Sequence, residues 1–276
     1  MTAKSPRPPL RPATVLLAPL RLLYAVWVAL TFLAAGLTAL VLLEVLPGAA
    51  RRRATARACA RGFLWLGGMP LTVRHVERLP AGQCVVVCNH ASYLDGPVLT
   101  AALPPRFSFV IKREMARVPL AGRALRRLGS EFVERFDRTQ VAADARRVIR
   151  NAAHGHSLVF FPEGTFTPAP GLLKFHTGAF ASAVRAGCPV VPAVVRGTRR
   201  ALPPRGALPL PGRLELEILP PIAVAADATS ERVAALRDAA RTAILAALGE
   251  PDLTCCDDTV RPPDTAPARS APASTP

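Results

Sequence analysis

The chain is predicted to fold as one α/β domain between residues 70 and 250, with a membrane-associated helical segment before it and a polar tail after it. Three observations predict this. Short β-branched runs alternate with helix-length amphipathic stretches through the middle of the chain. One uncharged apolar stretch, residues 22–43, lies between Arg21 and Glu44. Composition shifts at both ends, to a proline-rich arm over 1–12 and a Pro/Ala/Ser/Thr-rich tail over 251–276.

In order, residues 1–12 carry Lys4, Arg7 and Arg11 and read as a disordered basic arm. Residues 22–43 are long enough to cross a hydrocarbon core as a helix. They are too long for a signal peptide, and no small-residue cleavage site precedes Arg51-Arg52-Arg53. Positive charge flanks both sides, so a single span has no clear orientation. A bent or re-entrant pair of helices around Gly36 would put both basic flanks on the cytoplasmic face, against anionic headgroups. Residues 51–69 follow as a basic amphipathic helix, with Phe63, Leu64, Trp65 and Leu66 suited to a bilayer interface. Residues 13–69 are therefore expected to be one membrane-associated segment.

The domain then reads as strand 71–76, a turn at 79–82, strand 84–88, helix 95–102 stopped by Pro104-Pro105, and strand 107–111. Helix 120–128 ends at Gly129, and strand 131–135, helix 138–153 and strand 157–161 follow. Helix 175–186, strands 189–195 and 214–219, and helix 230–248 complete it, the last with Ser230 as N-cap and Gly249 as C-cap. Pro192 inside its strand implies a sheet edge or an irregularity.

A net charge of +16 implies an anionic partner: nucleic acid, an anionic membrane surface or a phosphorylated substrate. Aromatic residues make up 5% and do not interleave with basic ones, which makes nucleic acid the weakest of the three. The six cysteines show no metal-ligand spacing and fit a reducing compartment without disulfides.

Four segments gather chemistry. In Asn89-His90-Ala91-Ser92-Tyr93-Leu94-Asp95, an acid five residues after a histidine can hold one imidazole nitrogen while the other faces a cleft. In Phe161-Pro162-Glu163-Gly164-Thr165, an acid ends an apolar strand, glycine permits close backbone approach and a hydroxyl follows. Arg135 closes the run from Gly129, where it can take a phosphate bidentately, and Lys112 closes another strand. Val191-Pro192 lies on an apolar strand. Each alone also fits a plainer role: a core or surface histidine, a surface glutamate at a turn, a solvated arginine.

Taken in order, these four blocks resemble the glycerolipid acyltransferase family, typified by the 1-acylglycerol-3-phosphate acyltransferases. The resemblance covers about residues 70–200. It implies a single domain with a central mixed sheet flanked by helices. It also implies transfer of a fatty acyl group from acyl-CoA or acyl carrier protein to the hydroxyl of a lysophospholipid at a lipid bilayer. His90 would be the general base and Asp95 its orienting acid. Glu163, Gly164 and Thr165 would bind the acceptor, with Arg135 and Lys112 at its phosphate. No metal and no cofactor beyond the thioester co-substrate is implied. His176 departs from the pattern, standing where many relatives carry lysine. The expected location is the cell membrane, a bacterial inner membrane with the site on its cytoplasmic face. Lysophosphatidic acid is the default acceptor, and a lyso-amino-acid lipid is the alternative. A thioesterase or lipase using water, or a lipid carrier without catalysis, are further readings; no Gly-x-Ser-x-Gly elbow is present.

Overall fold

The computed structural model describes residues 18–133, 156–204, 208–224 and 229–254. The apolar stretch forms one helix, α1 (Ala18–Val45), and the basic stretch a second, α2 (Ala49–Leu66). They pack antiparallel. Tyr24 donates its hydroxyl to Gly67 O at 2.6 Å, Trp27 its indole N–H to Leu66 O at 2.9 Å, and Phe32 meets Phe63 edge-on. Of the two arrangements left open by the sequence, a bend at Gly36 is not formed: α1 runs unbroken through it, and the chain reverses at Leu46-Pro47-Gly48. Leucine and alanine on both sides of Gly36 hold the ladder against the roughly 1 kcal/mol a helical glycine costs. Gly48, at φ +78°, takes the left-handed turn.

At 28 residues α1 is about 42 Å long, enough for a hydrocarbon core of roughly 30 Å. Only Val28, Thr31 and Leu43 are buried, while Leu20, Leu23, Leu30, Leu33 and Val41 are exposed. The basic face of α2 is partly turned inward, contrary to a purely lipid-facing role. Arg53 donates to Leu128 O, and Arg57 and Arg61 to Ala101 O at the end of α3 (Asp95–Ala102). These guanidinium groups meet the carbonyls that a helix C-terminus leaves unpaired.

The sheet contains β1 (Leu71–Arg74), β2 (Val85–Cys88), β3 (Phe107–Lys112), β4 (Glu131–Val133), β5 (Ser157–Phe160), β6 (Val190–Arg196) and β7 (Leu214–Ile218). Their order is β1-β7-β6-β2-β5-β3-β4, and every neighbouring pair is parallel except β6 with β7. The sheet is therefore mixed, as expected. Between β3 and β4 lies α4 (Ala121–Arg127). Central β2 is buried on both faces. Val86 and Cys88 pack with Val98, Leu99 and Phe63 toward α2 and α3. Val85 and Val87 pack on the other side with α5 (Gly178–Ala186) and α7 (Ser230–Leu248), through Phe180, Ala183 and Ile244. A short helix, α6 (Thr198–Ala201), follows β6.

Several details differ from the sequence reading. Pro192 lies in β6 between β2 and β7, not at an edge. It is tolerated because the β6–β7 ladder begins at Ala193; beyond it Leu219 N donates to Pro192 O, and no return donor is required. The cap of α7 is Thr229, whose side chain accepts from Arg232 N, rather than Ser230. Helix α5 starts at Gly178; residues 173–176 form no regular element, and Leu173 N and His176 N donate to Glu163 Oε2 and Pro162 O. Structure also continues past residue 250, where Leu172 and Asp252 form a bridge. The expected arm 1–12, helix 138–153 and the tail beyond 254 lie outside the described residues.

Candidate active site

Parallel strands β6, β2, β5 and β3 end along one edge, where open α/β sheets hold their ligands. At the end of β2, Asn89 ties this edge together: its Oδ1 accepts from Val195 N at 2.8 Å and its Nδ2 donates to Val195 O at 3.1 Å. The amide side chain thus extends the β2–β6 pairing by one step and fixes the residue after it.

That residue is His90. Loop 91–94 folds back so that His90 Nδ1 lies 2.7 Å from Oδ2 of Asp95, the first residue of α3. The same oxygen accepts from Ala91 N at 2.7 Å and Ser92 N at 2.8 Å. Asp95 is fully buried. With two backbone donors already on it, Oδ2 serves the ring as an acceptor, so the proton sits on Nδ1 and Nε2 is the basic nitrogen. The ring itself is fixed by aromatic contacts: Phe161 stacks on it at 4.3 Å, Phe166 meets it edge-on at 4.6 Å, and Tyr93 packs against Phe166.

Glu163 is built into the same unit from the β5 side. Pro162 and Glu163 are the inner residues of a four-residue turn closed by Gly164 N on Phe161 O at 3.0 Å. Gly164, at φ +72°, needs the freedom of glycine to leave that turn. Glu163 is buried. Its Oε1 accepts from His90 N at 2.6 Å and its Oε2 from Leu173 N at 2.9 Å. Burial pushes its carboxyl up to about 7, against the pull of those two donors and of Arg199. In this arrangement Glu163 grips backbone rather than facing a ligand, whereas Thr165 is exposed.

Ser92 is also accounted for: its hydroxyl donates to Leu202 O at 2.8 Å and accepts from Leu94 N at 3.2 Å, and the residue is fully buried. It holds the loop. Lys112 ends β3, two strands from β2 and so about 10 Å across the sheet, with its ammonium 3.1 Å from Glu114. The structure thus joins His90, Asp95 and Glu163, places Gly164 and Thr165 beside them, and puts Lys112 two strands away on the same edge of the sheet. Arg135 lies outside the described residues. Sequence reasoning missed the aromatic contacts of Phe161 and Phe166 and the structural use of Asn89. Phe166 follows Gly164-Thr165 directly, which was the available signal for it. Among the described residues, His, Cys, Asp and Glu form no group of three or more suited to a metal ion.

Residues 70–196 match a family model described as Acyltransferase. A lyso-ornithine lipid O-acyltransferase of Pseudomonas aeruginosa is 35% identical over 187 residues, covering 63% of this chain and 67% of that protein. The chain belongs to the glycerolipid acyltransferase family. A 1-acyl-sn-glycerol-3-phosphate acyltransferase of the same organism is 30% identical over 193 residues, 67% of this chain and 73% of the relative. The fold is shared with the crystal structure of the 1-acyl-sn-glycerophosphate acyltransferase from Thermotoga maritima. Here the TM-score is 0.68 at 22% identity, covering 83% of this chain and 94% of that one. This acyltransferase therefore carries its His90–Asp95 pair at the carboxyl edge of the family's sheet.

Proposed function

We propose that this acyltransferase moves a fatty acyl group from acyl-CoA or acyl carrier protein to the free hydroxyl of 1-acylglycerol 3-phosphate, giving phosphatidic acid. The observation that carries this reading is the His90 Nδ1–Asp95 Oδ2 contact of 2.7 Å, on a carboxylate oxygen also held by two backbone N–H groups. It gives a base of fixed tautomer. Nε2 takes the proton of the acceptor hydroxyl as that oxygen attacks the thioester carbonyl. The imidazolium, stabilised by Asp95, then protonates the departing thiolate. No protein nucleophile is required, in keeping with the structural engagement of Ser92.

Glu163 acts through position, holding the His90 backbone. Gly164 and the exposed Thr165 are the acceptor-facing part of the same turn, and Lys112 and Arg135 are assigned to its phosphate. The outward apolar face of α1 supports a seat on the bilayer, where acceptor and product reside. We assign it to the inner membrane, with the site on the cytoplasmic side that supplies thioesters.

A second acceptor is favoured by one specific observation: the relative 35% identical to this chain is named for lyso-ornithine lipid. A competition assay separates the two. Purified enzyme in liposomes receives labelled acyl-CoA and equal amounts of 1-acylglycerol 3-phosphate and lyso-ornithine lipid, with products read by mass spectrometry. Phosphatidic acid in excess supports the proposal. Acylated ornithine lipid alone overturns the acceptor and keeps the chemistry.

A further inference from the structure

Loop 164–173 carries two parts of the site: Phe166, against the His90 ring, and Leu173 N, on Glu163 Oε2. It has almost no regular structure of its own. What holds it comes from outside the stretch that the family model matches, which ends at residue 196.

The chief support is Glu250, just past the Gly249 cap of α7. Its Oε2 accepts from Gly171 N at 2.6 Å and from a terminal nitrogen of Arg199 at 2.9 Å. Arg199, on α6, donates in turn to Thr167 O at 3.2 Å and to Ala169 O. One carboxylate oxygen and one guanidinium thus bind the loop at 167, 169 and 171. The chain after Glu250 continues the fastening. Leu172 N donates to Pro251 O at 2.9 Å, and Leu253 N to Leu172 O at 3.0 Å. Arg241 of α7 spans Leu172 O, Leu173 O and Asp252. At Gly171, φ +139°, Leu253 fills the space where a Cβ would stand, with Cγ at 2.4 Å.

We propose that Glu250, together with Arg199, is a positioning residue of the active site. It sets the loop so that Phe166 packs on His90 and Leu173 N holds Glu163, which in turn holds His90 N. This rests on the reading of His90 as the base. Both bonds to Glu250 end on a single oxygen, so glutamine, which keeps one carbonyl oxygen, retains the geometry and alanine does not.

The test uses the full chain in liposomes, as wild type, Glu250→Ala, Glu250→Gln and the surface control Asp238→Asn. The substrates are oleoyl-CoA and whichever of 1-oleoylglycerol 3-phosphate or lyso-ornithine lipid the wild type turns over. A misplacement near 1 Å costs on the order of 100-fold. Glu250→Ala is expected to lower kcat by about 10- to 100-fold, with KM changed less than about threefold. Glu250→Gln should stay within about threefold of wild type, and Asp238→Asn should match it. Amide exchange in 165–173 should rise in the alanine variant alone. Unchanged kcat in a folded Glu250→Ala overturns the proposal. If the alanine variant does not fold, a glutamine variant that folds yet loses kcat by tenfold or more overturns it. His90→Ala, run alongside, tests the base separately. Should that variant keep its rate, the exchange data still decide, and unprotected-to-wild-type equality in Glu250→Ala would sink the loop assignment by itself.

Discussion

Replacing Asp95 by asparagine tests the charge beside His90 while leaving the shape in place. An asparagine usually turns its NH2 toward such a ring and traps the wrong tautomer, which costs about 10⁴ in kcat in a serine-protease triad. Here the two backbone donors at Ala91 and Ser92 point at the Oδ2 position, 2.7 and 2.8 Å away. They demand an oxygen there, so the amide is held with its carbonyl toward His90 Nδ1. The tautomer survives and the charge is lost, while the NH2 takes the buried Oδ1 position, which has no hydrogen-bond partner among the described residues. A hydrogen bond to a charged partner contributes about 1.5–3 kcal/mol, and a neutral one about 0.5–1.5. The imidazolium forms only as the proton moves, so the difference falls on the transition state. A loss of about 1–1.5 kcal/mol corresponds to roughly 5- to 13-fold in kcat. The assay is steady-state acyl transfer by Asp95→Asn and wild type in matched liposomes. A loss below about threefold would show that the charge does not assist His90. A loss near 10⁴ would show that the amide has flipped, refuting the argument from the backbone donors.

Other outcomes follow from the same geometry. The Glu163 carboxyl is raised from 4.5 to about 7 by burial, so the folded state holds this proton more tightly than the unfolded one. Its contribution is full below about pH 4.5 and is lost as pH climbs through about 7, on the order of 3 kcal/mol in all. The difference in melting temperature between wild type and Glu163→Gln should therefore shift with pH across that window, and a flat difference would contradict the burial argument. Ser92→Ala removes two loop bonds and should cost about 1–2 kcal/mol in chemical denaturation while kcat stays within about tenfold. A fall as large as that of His90→Ala would make Ser92 a reactant. Leu23→Glu with Leu30→Glu puts two charges on the exposed face of α1, each costing about 2.5 kcal/mol or more if it enters hydrocarbon. Liposome flotation should fall at least 100-fold; unchanged flotation would remove α1 from the bilayer.

Much of this site was legible because its key pair is local. His90 and Asp95 are joined through a loop of four residues, so a strand ending and a helix beginning were enough to bring them together. The direction of Glu163 was not legible. A strand-end glutamate before glycine reads as ligand-facing, and only the tertiary placement of His90 N and Leu173 N shows that both its oxygens grip backbone. The arginines of α2 were misread for a related reason. Spacing places Arg53, Arg57 and Arg61 on one face but says nothing of the carbonyls that meet them, Leu128 O just past α4 for Arg53 and Ala101 O at the end of α3 for Arg57 and Arg61. Pro192 read as an edge or an irregularity, and a sequence does not show which: the strand is internal and the β6–β7 ladder stops at Ala193. The polar composition after residue 250 hid a segment that is ordered by its partners, not by its own propensity.

The central claim is that His90 removes the acceptor proton in a direct transfer. It is tested most directly by mass spectrometry of lipid products from purified wild type and His90→Ala, each given a labelled acyl thioester with and without lysolipid acceptor. The account predicts a diacyl product from wild type that requires the acceptor and falls at least 100-fold in the variant. Diacyl product at the wild-type rate from His90→Ala, or free fatty acid regardless of acceptor, would contradict it.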